Sequence, residues 1–253
     1  CGPQLNWTVD WSVHDFRISN NGHSIVLKPV RKSTKVTVDA DLEATYTDDD
    51  DVSYTTVGTS ENAIGVLHNH FAPEDSPHTE FCLDSFHFHW GITADVGSEH
   101  LLDGEQFPME VHFVHYACDA ETLGGALAPY SGYSNVTAAA AMGYDYHELA
   151  VVGIFFELTD YDNPAFDAIL SEETLEAIQY PNAVDSSYAT EKIVHSVYLQ
   201  DLIPMDLFTA GYYAYEGSLT TPPCTDIVRW HVSNVHSYIG KTQIERFRQI
   251  MST

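Results

Sequence analysis

Residues 85 to 91 read SFHFHWG, and residues 110 to 115 read EVHFVH. Successive side chains of an extended strand point to opposite faces, so His87 and His89 share one side while Phe86, Phe88 and Trp90 take the other. Two imidazoles about 7 Å apart along one strand face can converge on one metal ion, provided a third ligand comes from a neighbouring strand. The second segment offers it. Glu110, His112 and Val114 share a face there, and antiparallel pairing of the two segments sets His112 beside His87 and His89. Three imidazoles with a fourth position open to water are the donor set of a catalytic zinc site, whereas structural zinc sites close with four ligands, usually cysteines.

The elements that must hold these residues are strands. Segments 24–30, 52–57, 86–90, 110–116, 150–158 and 226–231 have strand character and are separated by Gly, Pro, Asn and Asp clusters. Helical signals are few: 171–180, and 242–251, where Thr242 and Glu245 form a capping box ahead of Ile244, Phe247 and Ile250. There is no internal repeat and no linker, so 1–253 reads as a single domain. The acidic run TDDDD at 47–51 lacks the spacing and glycine of an EF-hand and reads as a solvated turn.

Charge narrows the partners. The chain carries 37 Asp and Glu against 10 Lys and Arg, a formal net charge of −27 with histidine neutral. Such a field repels nucleic acid and anionic membranes. Charged residues make up only 19% and hydrophobic ones 44%, a balance that excludes a disordered chain. The reading is an acidic surface adapted to salt, because at molar ionic strength the Debye length is about 3 Å and self-repulsion is screened. No apolar run approaches the roughly 18 residues of a membrane span, so no transmembrane segment is expected. The sequence begins at Cys1 without Met or signal peptide, as in a mature or trimmed form. Four cysteines (Cys1, Cys82, Cys118 and Cys224) with no zinc-finger spacing, and two N-x-T sequons at Asn6 and Asn135, fit secretion. The location expected is extracellular or periplasmic, with cell-surface association left open.

The sequence resembles the α-class carbonic anhydrases. The resemblance rests on SFHFHWG at 85–91, GSEH at 97–100, EVHFVH at 110–115, YEGSLTTPPC at 215–224 with Trp230 following, and NNGH at 20–23. These blocks stand in family order and span most of the chain. The acidic composition is similar to that of members from salt-tolerant algae. The resemblance implies an α+β, mainly β fold: a large, twisted, predominantly antiparallel central sheet with short peripheral helices and a conical cleft ending at the metal. It implies Zn2+ held by His87, His89 and His112, and reversible hydration of carbon dioxide to bicarbonate and a proton by attack of zinc-bound hydroxide. Thr220 would accept the hydroxide's hydrogen bond and donate its own to Glu99, and its N–H, with Thr221 nearby, would position substrate oxygen. Val114, Val151, Leu219, Val228 and Trp230 match the apolar substrate wall. His23 stands at the proton-shuttle position, with Asn21 helping to order the connecting water. Glu110, backed by His100 and Tyr215, would fix the tautomer of His112. Inhibition by sulfonamides and small anions is a family expectation.

Several positions depart from the family pattern. Val26 stands where many members carry a polar side chain, and Ser85 where a glutamine usually supports the first ligand. A QSPINI-like strand before NNGH and a C-terminal strand rich in Arg, Pro and Gln are not found, which leaves either an incomplete chain or a fold trimmed at both ends. The family pattern implies a Cys1–Cys224 disulfide. With His87 or His89 facing His112, Cys82 and Cys118 fall on opposite faces and are expected to stay free thiols. His68, His70 and His115 are expected to be structural or surface groups. Two other readings remain open. A cupin-like iron oxygenase would need a glutamate ligand soon after the second histidine, and residues 92–96 (ITADV) offer none. A carbonic anhydrase-like binding domain without activity usually lacks a zinc histidine, and this chain keeps all three.

Overall fold

The computed structural model describes residues 4–32, 45–47, 52–56, 63–68, 79–93, 95–130, 149–180, 191–222 and 224–250. Thirteen strands among them form one sheet. They are β1 (Trp7–Val9), β2 (His14–Asn20), β3 (Ile25–Lys32), β4 (Thr45–Thr47), β5 (Ser53–Thr56), β6 (Gly65–His68) and β7 (Glu80–Trp90), then β8 (Met109–Ala117), β9 (Leu149–Thr159), β10 (Glu191–Val197), β11 (Tyr212–Gly217), β12 (Val228–Ser233) and β13 (Ser237–Gly240). The main path runs β10-β2-β3-β7-β8-β9-β12-β11. Every described pairing is antiparallel except those of β9 with β12 and β13. Among the described residues five short α-helices sit at the periphery: α1 (Leu123–Leu127), α2 (Glu172–Ile178), α3 (Leu199–Leu202), α4 (Leu207–Ala210) and α5 (Lys241–Phe247). This is the mainly β architecture that the sequence implied.

β7 and β8 lie in the middle of the sheet, where both faces are covered. On one face of β7, Phe86 and Phe88 are inaccessible and pack against Phe16, Phe113, Phe156, Phe166 and Phe247. Trp90 continues that face at the strand end, 5.3 Å from Phe247. Burying a phenylalanine contributes roughly 1.5–3 kcal/mol, so this aromatic layer anchors the strand whose opposite face carries the histidines. Each of the six segments with strand character overlaps a strand of the sheet, although β7 reaches back to Glu80 and β12 begins only at Val228. The strands β1, β2, β4, β6, β10, β11 and β13 fall outside those segments. Some are only three or four residues long, and others, such as EKIVHSV and YYAYEG, mix polar and aromatic residues without a clean period.

The β7–β8 register contains the feature that overturns the cysteine expectation. Phe81, Cys82 and Leu83 face Ala117, Tyr116 and His115, but Ser85 faces Val114 and His87 faces His112. Asp84 is the extra residue of a bulge, and one extra residue inverts the parity of everything before it. Cys82 and Cys118 therefore lie on the same face, with Cα atoms 5.1 Å apart, and form a disulfide. The Asp84 carboxylate is almost fully buried and held by Lys28 Nζ at 3.0 Å. Cys224, which the family pattern pairs with Cys1, is an exposed free thiol, and Cys1 lies outside the described residues.

One smaller correction concerns the start of a helix. α5 begins at Lys241, and its capping glutamine is Gln243, whose Oε1 accepts from the Gly240 N–H at 3.1 Å. Thr242 instead donates to Asp162, and Glu245 pairs with Arg248. α2 matches its expectation, with Ser171 accepting from the Thr174 N–H. Residues 48–51 of the acidic run lie outside the described residues.

The disulfide closes a loop of 36 residues. Its removal is expected to cost about 3–4 kcal/mol on the chain-entropy account. Urea unfolding of the Cys82→Ser variant and a non-reducing peptide map test this; an unchanged midpoint together with no Cys82–Cys118 cross-linked peptide would contradict it.

Candidate metal centre

The cross-strand register sets His112 opposite His87, with His89 two residues along the same face. Ring centroids are 4.9 Å apart for His87 and His89, 5.2 Å for His87 and His112, and 4.5 Å for His89 and His112. One nitrogen from each ring lies within 4.8 Å of the others. Burial, reinforced by the neighbouring imidazoles, holds His87 well below the ordinary histidine range and His89 down to about 3. Both rings are thus neutral near pH 7, the state a metal ligand needs. Nε2 of His89 is buried and has no hydrogen-bond partner. A divalent ion among the rings would satisfy it, so the donor set fits zinc.

Glu110 sits directly behind the triad, with no exposed surface. Its Oε1 accepts from His112 Nε2 at 2.9 Å and His100 Nδ1 at 2.6 Å, and its Oε2 accepts from the N–H groups of Glu99 and His100 at 2.9 and 3.0 Å. In the tautomer with Nε2 of His112 donating to Glu110, it is Nδ1 that offers a lone pair on the side of the other two imidazoles. With Nδ1 of His100 donating, its Nε2 accepts from the Tyr215 hydroxyl at 2.7 Å. Burial alone would push the Glu110 carboxyl up, but the charges and hydrogen bonds of His112 and His100 together hold it well below the carboxylate range. Burial first, then the Glu110 and Glu99 charges, push the Tyr215 hydroxyl up to about 12, so it stays a donor.

One residue of this arrangement carried no sequence signal. Gly153 on β9 faces His112, and a Cβ there would stand 2.8 Å from Glu110 Oε1. Glycine leaves the space in which the carboxylate lies. Only the cross-strand register reveals that need, since nothing near GIFF hints at it.

Glu99 lies in the loop between β7 and β8, fixed by Ser98, whose N–H donates to Phe107 O at 2.9 Å and whose hydroxyl donates to His100 O at 2.7 Å. Its carboxylate Oε2 is 3.4 Å from His89 Nε2 and 3.8 Å from His112 Nδ1, buried and without a hydrogen-bond partner. Among the described residues no hydrogen bond joins Glu99 to Thr220.

A cavity of about 120 Å3 opens beside His87 and His112, walled by Val26, Val114, Val151, Leu219, Thr220, Thr221 and Trp230, with Asn21 and His23 at its edge. Val228 does not line it; it packs beneath, in the same apolar cluster as Val151 and Trp230. His23 is exposed, and its ring centroid is 5.6 Å from that of His89. Asn21 Oδ1 accepts from the N–H groups of His23 and Ser24 at 2.9 and 2.7 Å, so this side chain shapes the turn that presents His23. A larger opening of about 520 Å3 lies on the far side of His23 and His89, bordered by Trp90, Gly97 and Arg248. Of the remaining histidines, His115 is fully buried and donates Nδ1–H to Phe113 O at 2.9 Å. His68 is half-buried, and His70 lies outside the described residues.

A large β-sheet whose central strands present three clustered imidazoles, backed by a buried carboxylate and opening on an apolar cavity, defines a β protein built around a metal-type centre. The family model for eukaryotic-type carbonic anhydrases matches residues 2–253, and the chain belongs to that family. It is 28% identical over 237 residues to carbonic anhydrase 7 of Homo sapiens, covering 93% of this chain and 66% of that one. It is 34% identical over 174 residues to carbonic anhydrase 6 of Mus musculus, covering 68% and 46%. With carbonic anhydrase 15 of Mus musculus the identity is 30% over 177 residues, covering 70% and 47%. The chain thus spans about half to two thirds of the length of these curated relatives.

Gly153→Ala is expected to displace the Glu110 carboxylate and to weaken zinc binding about 10- to 100-fold, as loss of a ligand's hydrogen-bond partner does. Competition with a chromogenic chelator measures it; wild-type affinity in a folded variant would contradict the role given to Gly153.

Proposed function

We propose that the protein is a zinc enzyme that hydrates carbon dioxide reversibly to bicarbonate and a proton. The observation that carries this reading is the three-imidazole cluster whose third member is oriented by buried Glu110. His87 and His89 would hold Zn2+ from β7 and His112 would hold it through Nδ1 from β8. Zinc, when bound, would lower the pKa of water from about 15.7 to about 7 and so supply hydroxide near neutral pH, a magnitude known from carbonic anhydrases themselves.

The residues around the centre divide the remaining work. Val114, Val151, Leu219 and Trp230 give a nonpolar substrate a wall to lie against while excluding water. Thr220 offers a hydroxyl and an N–H at the same cavity, and with Thr221 orients substrate and product oxygen. Glu99 would accept the Thr220 hydroxyl's hydrogen bond, as the family pattern implies. His23 stands at the solvent edge, where a histidine can carry the released proton to buffer. Val26 faces His87 across β3 and β7 and leaves that part of the path apolar. Sulfonamides and small anions would inhibit by occupying the fourth position at the metal.

Two wider features belong to the same reading. The −27 charge suits a protein working at high salt, where screening removes the self-repulsion. The Cys82–Cys118 disulfide suits an oxidising, extracellular or periplasmic setting. No described helix is long and apolar enough to cross a membrane.

The test is sulfonamide-sensitive carbon dioxide hydration by zinc-loaded protein in dilute buffer and in molar sodium chloride. Activity in both, with one zinc per chain, is expected; one zinc and no hydration at either salt would sink the enzymatic reading. His112→Ala is expected to lose both zinc and activity, and retention of either contradicts its assignment. His23→Ala should slow turnover about 10-fold or more in weak buffer and recover with added imidazole; a variant as fast as wild type in weak buffer would remove His23 from the proton path.

A further inference from the structure

The N-x-T motif at Asn6 has no part in the metal centre, and the structure gives it a defined place. Residues 5 to 10 alternate: Leu5, Trp7 and Val9 are buried, and Asn6, Thr8 and Asp10 are exposed. Trp7 fixes that alternation. It is 4% exposed and packs edge-on against Phe113 and His115, with ring centroids 5.2 and 5.3 Å away. The backbone is held as well, because β1 pairs with β6 from Trp7 to Val9 and the Asn6 carbonyl accepts the His68 N–H at 2.8 Å. Side chains two residues apart on an extended chain share a face. The Asn6 amide and the Thr8 hydroxyl, the two groups that make the acceptor motif, therefore stand together on the outside of a short strand anchored through its other face.

We propose that Asn6 is a site of N-linked glycosylation, taking a neutral oligosaccharide from a lipid-linked oligosaccharyl diphosphate. The Asn6 amide nitrogen bonds to the anomeric carbon of the sugar, the bond from that carbon to the diphosphate oxygen breaks, the lipid diphosphate leaves, and the amide gives up one proton. Such a motif is used on a secreted chain, so the proposal rests on the oxidising setting that the Cys82–Cys118 disulfide suits. The fold accepts the modification without disturbing core or centre, since an exposed side chain gives up no buried contact. His68, beside Asn6, pairs with Glu80, which precedes His87 on β7 by seven residues, roughly 23 Å at about 3.3 Å per residue. The sugar stands clear of the histidine cluster. It also supplies what charge cannot at high salt: with a Debye length of about 3 Å at molar ionic strength the charge of −27 no longer keeps copies apart, whereas the bulk and hydration of a neutral glycan are not screened.

The experiment treats the protein isolated from its own cells with peptide:N-glycosidase in heavy-oxygen water, which marks each formerly glycosylated asparagine, and maps the peptides by mass without reduction. The mark is expected in the peptide carrying Asn6, together with the Cys82–Cys118 cross-link. Wild type, Thr8→Ser and Thr8→Ala secreted from a eukaryotic host form the second arm: the glycan at Asn6 is expected in the first two and lost in the third, because only the third lacks the hydroxyl of the motif. An unmarked Asn6 peptide beside an intact cross-link overturns the proposal alone, and a mark confined to Asn135 does the same. An unmarked peptide with no cross-link removes the secreted setting and the proposal with it. A glycan at Asn6 that survives Thr8→Ala contradicts the assignment of this motif.

Discussion

A carboxylate with no exposed surface, set into the middle of a sheet, is tolerable only if every lone pair it turns inward has a donor. Glu110 has four: two imidazole N–H groups and two backbone N–H groups. Meeting that demand constrains much of the centre. His112 must carry its proton on Nε2, which points Nδ1 at the other imidazoles. His100 must carry its proton on Nδ1, which turns its Nε2 to the Tyr215 hydroxyl. The loop between β7 and β8 must bring two backbone N–H groups to the carboxylate, which brings Glu99 beside His89 and His112. β9 must carry a glycine at 153 so that the carboxylate has room.

The same alternation that sets the ligands also sets the core. Along β7 the even positions Phe86 and Phe88 lie in the aromatic layer, and the odd positions His87 and His89 face the centre. A one-residue slip would bury histidines among phenylalanines and expose the rings, so packing against Phe113, Phe156 and Phe247 protects the ligand register. Folding energy and site geometry are thus carried by one strand. The bulge at Asp84 confines its parity change to the part of the strand before the site, where it brings Cys82 to Cys118.

What the sequence made legible follows from periodicity and short motifs. A period of two put His87, His89, His112 and Glu110 on shared faces, and the ordered blocks carried Glu99, His100, Thr220 and Tyr215 with the family resemblance. What it hid was long-range. The bulge at Asp84 has no sequence signature, so the Cys82–Cys118 bond was misread from a register that holds only beyond Ser85. Gly153 matters because of Glu110, distant in sequence but on the directly paired strand β8. Strands such as β10 and β11 sit at the sheet ends, where one face is solvated and the pattern blurs. The resemblance implies Val228 as cavity wall with Trp230; alternation does put both on one face of β12, but Val228 is fully buried in the apolar cluster with Val151 and does not reach the cavity.

The account turns on the protonation that Glu110 imposes, and long-range 1H–15N correlation spectra of the imidazole rings read it directly. In the zinc-loaded protein His112 is expected to show a slowly exchanging proton on Nε2 and a metal-coordinated Nδ1, while Glu110→Gln loosens that proton and broadens the signal. A proton on Nδ1 of His112, or a spectrum unchanged by Glu110→Gln, would contradict the claim that this buried carboxylate organises the centre.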